Sequence, residues 1–395
     1  MMKKSIMASR DYFKRISIVA FALALILTGT RAQTQEVITL GQLGTEGELI
    51  YPRQAQEGPD GNIYVYDQSD AFIKVYSPDG SFLRKIGGKG QGPGEIQRPE
   101  GVTFGFTTDG QLFFTEYFMG HPWITVLKLS GELARVIKPQ IDELFGVASA
   151  VSLKDGRFLV EFSFSGQPKK EKDYFYYPSP KELTLIDSQG KIISRLKRTE
   201  HITRISYVAD GADSDIPFTP MFLWCLYDEK SVLFSEGLDT KLQVLDFEGK
   251  LVGEIETSLP RPEKVTSQDL AEWRNRRREM MQSRDPGWWT RFGTVIEKYK
   301  KSIYSHKPVI WEMARTPQGR FLIGSRVESN RPGRDYWLLG RDGKELVKIN
   351  TSAWILSLAP DFILIGEVAE DGTASIKALK RQGKEEADLL KLSGK

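Results

Sequence analysis

One pattern recurs along these 395 residues in different words: two short apolar runs, a turn containing glycine, then a third run. It reads NIYVYD (62–67), FIKVYS (72–77), PDG and SFLRKIG; then QLFFTE with WITVLKLSGELARVI; RFLVEFSF with ELTLIDSQGKIISRL; SVLFSEG with KLQVLDFEGKLVGEI; and RFLIGSR with YWLLGRDGKELVKI. Within each run apolar and polar residues alternate with period two, and β-branched and aromatic residues dominate, so each run is a strand. A single small sheet cannot bury its own faces, so repeated sheets must stack on their neighbours. A sixth copy is incomplete, because FILIGEVA and ASIKALKRQ have no partner strand after them. EVITLGQ (36–42) alternates too, and it precedes GTEGELIYPR, which echoes GQGPGEIQRP (90–99) after the last strand of the first copy. The N-terminal strand is therefore expected to complete the C-terminal unit, which closes a ring and removes the open edges of a linear array.

The segment DGNIYVYD, FIKVYSPDGSFLRKIGGKGQGPGEIQRPEGV resembles an NHL-type repeat of the six-bladed β-propellers, clearly in the first unit and more loosely in the others. The resemblance implies an all-β, six-bladed propeller over residues 36–380, with four-stranded antiparallel blades and a last blade closed by the N-terminal strand. A helical hairpin is inserted between blades 4 and 5 (262–307), and 381–395 form a C-terminal tail. The glycine run around Lys89 is not a phosphate loop, since Gly88-Lys89 is followed by Gly90 instead of Ser or Thr. It falls where an outer strand must cross to the next inner strand, so corner turning is expected.

Lys3, Lys4, Arg10, Lys14 and Arg15 precede the apolar run Ile16–Leu27 and the small-residue stretch ending at Ala32. This reads as a secretory signal over 1–32 with cleavage after Ala32, too short in its apolar part for a membrane span. An exported, periplasmic or extracellular chain is expected, with no membrane span after cleavage. The single cysteine, Cys225, lies in the apolar run MFLWCLY and reads as a small buried hydrophobe; intrachain disulfides are excluded. Residues 1–32 hold six Lys or Arg and one Asp, so of the formal +3 the remainder carries about −2. That disfavours a nucleic-acid partner, and a monomer is expected.

Antiparallel order places turns between first and second strands, and between third and fourth, on one face. Those turns are short (GPDG, TTDG, LKDG, TPQG; SPDG, DSQG, FEGK, RDGK), whereas connections on the other face are long: 116–122, 164–181, 198–217, 326–335 and the insertion after Leu259. The long-connection face is the expected functional face. In the insertion, Thr266 with Asp269 three residues on starts a helix carrying Leu270, Trp273 and Arg277 at helical spacing; Asp285-Pro286-Gly287 breaks it; Trp289, Phe292, Val295, Ile296 and Tyr299 mark a second helix. Residues 264–307 hold eleven Lys or Arg and five acids, a basic segment on an acidic body.

Candidate ligand-binding residues on this face are Tyr174, Tyr176 and Tyr177 beside Phe175, Arg276 and Arg277, Trp288 and Trp289, and Arg334. They suit stacking on a glycan or gripping a peptide or protein. No catalytic or metal residue and no cofactor is assigned, so the first expectation is an exported, non-enzymatic binding or scaffold propeller. The alternative, which the resemblance implies through its lactonases and amidating lyases, is a metal-dependent hydrolase or lyase with a site at the central channel. Its candidates are the acids Glu57 and Glu100 at inner-strand positions and Asp361 at the end of another, and the three histidines His121, His201 and His306, of which none is expected on an inner strand.

Overall fold

The structure is a computed structural model, and the residues it describes are 36–117, 122–142, 144–208, 213–282, 287, 304–325, 333–368 and 373–393. Among them the chain forms six antiparallel sheets, the architecture of a β-propeller. The first holds Pro52–Glu57, Ile63–Asp67, Phe72–Tyr76 and Phe82–Gly87; the second Val102–Phe106, Leu112–Glu116, Ile124–Leu127 and Leu133–Ile137. The fourth holds Leu223–Leu226, Ser231–Ser235, Lys241–Asp246 and Leu251–Glu256, and the fifth Ile310–Arg315, Phe321–Ser325, Arg334–Leu339 and Glu345–Thr351. The sixth is built from Trp354–Leu358, Phe362–Val368 and Ala374–Lys380, and Val37–Leu40 pairs on its edge with Leu40 opposite Ile376. The N-terminal strand thus completes the C-terminal sheet, as the echo between residues 44–53 and 90–99 implies.

Alternation explains the packing. The second strands of the first four sheets are covered on both faces, so IYVYD, LFFTE and SVLFS are buried throughout, while outer strands such as FLRKIG alternate between covered and exposed residues. Each sheet shares a core with the next. Phe113 and Val126 of the second sheet meet Phe158 and Phe162 of the third, and Leu233 and Leu242 of the fourth meet Phe321 and Ile323 of the fifth. Leu40, Phe362 and Leu364 of the sixth meet Ala55, Ile63 and Val65 of the first. Each fully buried side chain of this size contributes about 1.5–3 kcal/mol, and that burial holds together a chain without disulfides.

The glycine run turns a corner. Gly87 and Gly88 have φ of 87° and 122°, Ile96 N–H donates to Gly88 O at 2.8 Å, and Gly90 N–H donates to Ile96 O at 3.1 Å. Glu95 already accepts from Gly92 N–H at 2.6 Å, so the loop's own carboxylate takes a donor that a phosphate would use.

The third sheet departs from the pattern. Residues 164–181 and 198–217, read from sequence as long connections, pair with each other: Tyr174–Ile186 and Ile192–Tyr207 form a long ribbon, extended by Lys169–Glu171 on one side and Asp213–Asp215 on the other. Prolines at 178 and 180 and the charge-rich composition hide these strands from a hydrophobic pattern. In the insertion, Ser267–Gln282 is a helix. Thr266 Oγ1 accepts from Asp269 N–H at 3.1 Å while the Asp269 carboxylate accepts from Thr266 N–H at 2.8 Å, the reciprocal cap expected from their spacing. The second expected helix lies outside the described residues. The tail contributes a short helix, Glu385–Leu390, whose Leu389 enters the core shared by the fifth and sixth sheets.

Candidate functional site

The ribbon builds one wall of a cavity of about 340 Å³ on the long-connection face. Ser179 stands opposite His201 and Lys181 opposite Thr199, so alternation aims all four at the same side. Thr203 is the extra residue of a β-bulge between the Tyr177–Arg204 and Pro178–Ile202 pairs, and it lines the cavity as well. This wall is a row of hydroxyls, one ammonium and one imidazole.

The facing wall is apolar. It is the segment Ile216–Phe222 that leads into the fourth sheet, with Trp273 from the helix and Trp311 from the first strand of the fifth sheet. Ile216 N–H donates to Thr203 O at 2.8 Å, Thr219 Oγ1 donates to Ile216 O at 2.8 Å, and Met221 N–H donates to Glu236 O at 2.9 Å. Between these anchors Phe218 sits at φ 58°, in the left-handed region, while its side chain is buried. A bulky residue there costs of order 1–3 kcal/mol and persists only where the surroundings over-determine it, a condition met most often at functional sites.

His201 in the polar wall is held by a carboxylate. Its Nε2 lies 3.0 Å from a Glu236 carboxylate oxygen, and Tyr304 packs its ring edge-on at 5.8 Å. A carboxylate accepts but does not donate, so Nε2 holds the proton and Nδ1 is the basic nitrogen. The hydrogen bond to His201 holds the Glu236 carboxyl below its ordinary range, prevailing over the upward push of burial, with the charges of His201 and Lys197 adding to the lowering. Burial raises the Tyr304 phenol. Behind the same wall, buried Glu161 accepts from Lys181 Nζ at 2.8 Å, Trp224 Nε1 at 3.0 Å and Ser149 Oγ at 3.1 Å. An ionised carboxylate that orients an imidazole beside a walled cavity is the arrangement of a general base or acid.

Among the described residues, His201 alone of the sequence-derived candidates lines this cavity, and the others fall elsewhere. Tyr176 is buried in the ribbon; Tyr177 accepts from Ser206 Oγ at 3.2 Å and lies under Arg204, 4.6 Å from its ring centre. Tyr174 pairs with Tyr207 at the ribbon's far end. These aromatics brace the ribbon on which the cavity wall stands. Arg277 reaches Asp215 at 3.1 Å and ties the helix to the ribbon, whereas Arg276 is exposed. Trp288 and Trp289 lie outside the described residues, as does His121. Arg334 is on a third strand and not on the loop before it; it is buried and paired with Glu312. Glu57 accepts from Asp361 N–H at 3.0 Å, its carboxyl raised by burial, and Glu100 is exposed in a 3-10 turn. His306 contacts Ser305. Burial pushes the Cys225 thiol up to about 12, consistent with a packing role. Among the described residues no three His, Cys, Asp or Glu side chains come together as a metal site.

The row Ser179-x-Lys181 and Thr199-x-His201-x-Thr203 is the signal that sequence reasoning passed over. Polar residues at every second position are the mark of a strand face, but the register that sets the two stretches side by side is not written locally.

No protein-family model matches the chain, and no curated protein does. Solved structures of similar fold include virginiamycin B lyase from Staphylococcus aureus, at 10% identity over 89% of this chain and 90% of that one, TM-score 0.40. A Bacteroides fragilis protein described as exported matches at 10% identity over 88% and 96%, TM-score 0.47. A gluconolactonase from Xanthomonas campestris matches at 9% identity over 88% and 90%, TM-score 0.43. Among the described residues no helix is long and apolar enough to cross a membrane. The expectation of a non-enzymatic binding propeller is corrected on the cavity itself, one wall of which carries an imidazole held by a carboxylate that the sequence reading left unassembled.

Proposed function

We propose that the chain is a hydrolase or lyase that acts on a small molecule in the ribbon cavity, with His201 moving the proton and Glu236 holding its ring and stabilising the imidazolium. The observation that carries this reading is the His201–Glu236 pair, at 3.0 Å, with its imidazole in a cavity wall whose opposite side contains the strained Phe218. In hydrolysis His201 Nδ1 takes a proton from water as the oxygen attacks a carbonyl carbon, then returns it to the leaving oxygen. In elimination it takes the proton from carbon, the C–H electrons form the new C=C bond as the bond to the leaving oxygen breaks, and the proton returns to that oxygen. Thr199, Thr203 and Ser179 supply the donors for the negative charge that develops on the substrate oxygen. A metal-assisted variant would need more donors than His201 and Glu236 provide, and the described residues bring no third His, Cys, Asp or Glu to them.

The scaffold reading is finer than six sheets. The sheets are six NHL-type blades in a closed ring, supported by the pairing of Val37–Leu40 with the C-terminal sheet and by the core shared between sixth and first sheets. Export with cleavage after Ala32 is part of the same proposal, supported by the pattern of residues 1–32.

Proton release from a panel of small esters and lactones tests the activity. Turnover by the purified chain should fall about a hundredfold or more in His201→Asn with the unfolding midpoint unchanged, in line with general acid–base contributions. No turnover across the panel, or turnover that survives the substitution, overturns the reading.

A further inference from the structure

We infer that the cavity selects an uncharged amphipathic molecule, with a flat apolar ring against the Phe218–Trp311 side and a neutral hydrogen-bonding head against the ribbon. This rests on the cavity's being the functional site, and it names the class of substrate.

The two walls differ in kind. Ser179, Thr199 and Thr203 offer hydroxyls that both donate and accept, and the opposite side is aromatic and aliphatic, with Phe218, Phe222, Trp273 and Trp311 as its large rings. A ligand wholly polar would leave those rings facing its hydration shell, and one wholly apolar would strand the hydroxyls without partners. A molecule with one apolar side and one polar side satisfies both.

Charge narrows the class further. The cation on the polar wall, Lys181, is already matched by Glu161 at 2.8 Å, and that carboxylate is almost fully buried. Its other oxygen is taken by Ser149 and Trp224, so the pair is locked from behind. His201 stands against Glu236, whose carboxyl is ionised in the neutral range. Among the described residues of this wall an anionic ligand therefore meets no uncompensated positive charge, and it lies near a carboxylate. Its lost hydration goes unreturned. A cationic ligand must approach Lys181 while both Glu161 oxygens are engaged. An amide, ester or alcohol head has neither difficulty.

Equilibrium dialysis with indole-3-acetamide and indole-3-acetate, a neutral and an anionic probe of nearly one shape, tests the inference without requiring turnover. The wild-type chain should hold the amide about tenfold or more tighter than the acetate, a difference of about 1.4 kcal/mol. In Glu161→Gln, which leaves Lys181 uncompensated, the acetate should gain on the amide by a similar factor. If that variant does not fold, Lys181→Met provides the opposite perturbation, and the acetate should weaken further. Equal or tighter binding of the acetate by wild type, binding of neither probe, or a preference that both variants leave unchanged overturns the inference. The ester assay reads catalysis separately. A preserved amide preference in a chain without turnover would sink the proton-transfer role alone, and turnover of charged and neutral esters alike would sink the selectivity alone.

Discussion

Phe218 offers a direct test of whether the cavity wall is held under strain. Its side chain is 7% exposed and its φ is 58°. Truncation to alanine removes a buried ring, about 3–5 kcal/mol, and keeps the left-handed backbone that a Cβ disfavours. Truncation to glycine removes the same ring but also lifts the Cβ penalty, about 1–2 kcal/mol. Against this stands the greater unfolded-state freedom of glycine, about 0.5–1 kcal/mol. The balance favours Phe218→Gly over Phe218→Ala by about 0.5–1 kcal/mol, the reverse of the usual order of the two residues. Guanidinium unfolding of both variants, with slopes compared so that a change in the unfolded state is not mistaken for stability, measures the difference. An alanine variant more stable than the glycine variant would refute the argument, because it would mean that the wall relaxes on losing the ring and that the left-handed conformation is not imposed by its anchors at Thr203, Thr219 and Glu236.

Three further outcomes follow from the fold. Asp67 accepts from Ile50 and Tyr51 N–H and pairs with Lys74 at 2.9 Å; burial pushes its carboxyl up, but the bonds from Ser69, Ile50, Lys74 and Tyr51 outweigh that and hold it below its ordinary value. Its contribution is therefore complete above about pH 4 and is lost as pH falls through the lower native value, so acid unfolding should be less steep in Asp67→Asn, which also loses about 3–5 kcal/mol at neutral pH. Leu40→Ala, at a fully covered position of the N-terminal strand, should cost about 3–5 kcal/mol in thermal or denaturant unfolding, and a cost under 1 kcal/mol would contradict closure through that strand. Thr266→Ala removes the helix cap and should cost about 1 kcal/mol, seen as faster amide exchange within Ser267–Gln282 while the sheets keep their protection.

Much of the scaffold was legible because its rule is local. Period-two alternation in NIYVYD or SVLFSEG and the glycine at each turn specify strands without knowledge of the rest, and the echo before Tyr51 identified the closing strand. The ribbon was not legible, since YFYYPSPK and TEHITRISY carry prolines and charges where buried strands carry valine and isoleucine. Their pairing depends on two stretches separated by a whole hairpin. The site was missed for the same reason. His201 and Glu236 are 35 positions apart and meet only because the third sheet's outer strand overruns its blade and leans on the end of a strand in the fourth. Aromatics and arginines drew attention as exposed chemistry, yet Tyr176 and Arg334 are buried in support of the frame.

The central claim is that His201 in the ribbon cavity performs the proton transfer. Diethyl pyrocarbonate modifies unprotonated histidine, and the chain has only three histidines to distinguish by mass spectrometry of its peptides. Activity on the best ester of the panel should decay at the rate at which His201 is modified, and a saturating competitor such as indole-3-acetamide should slow both together while leaving His306 reactive. Full activity in a chain whose His201 is already modified would contradict the account.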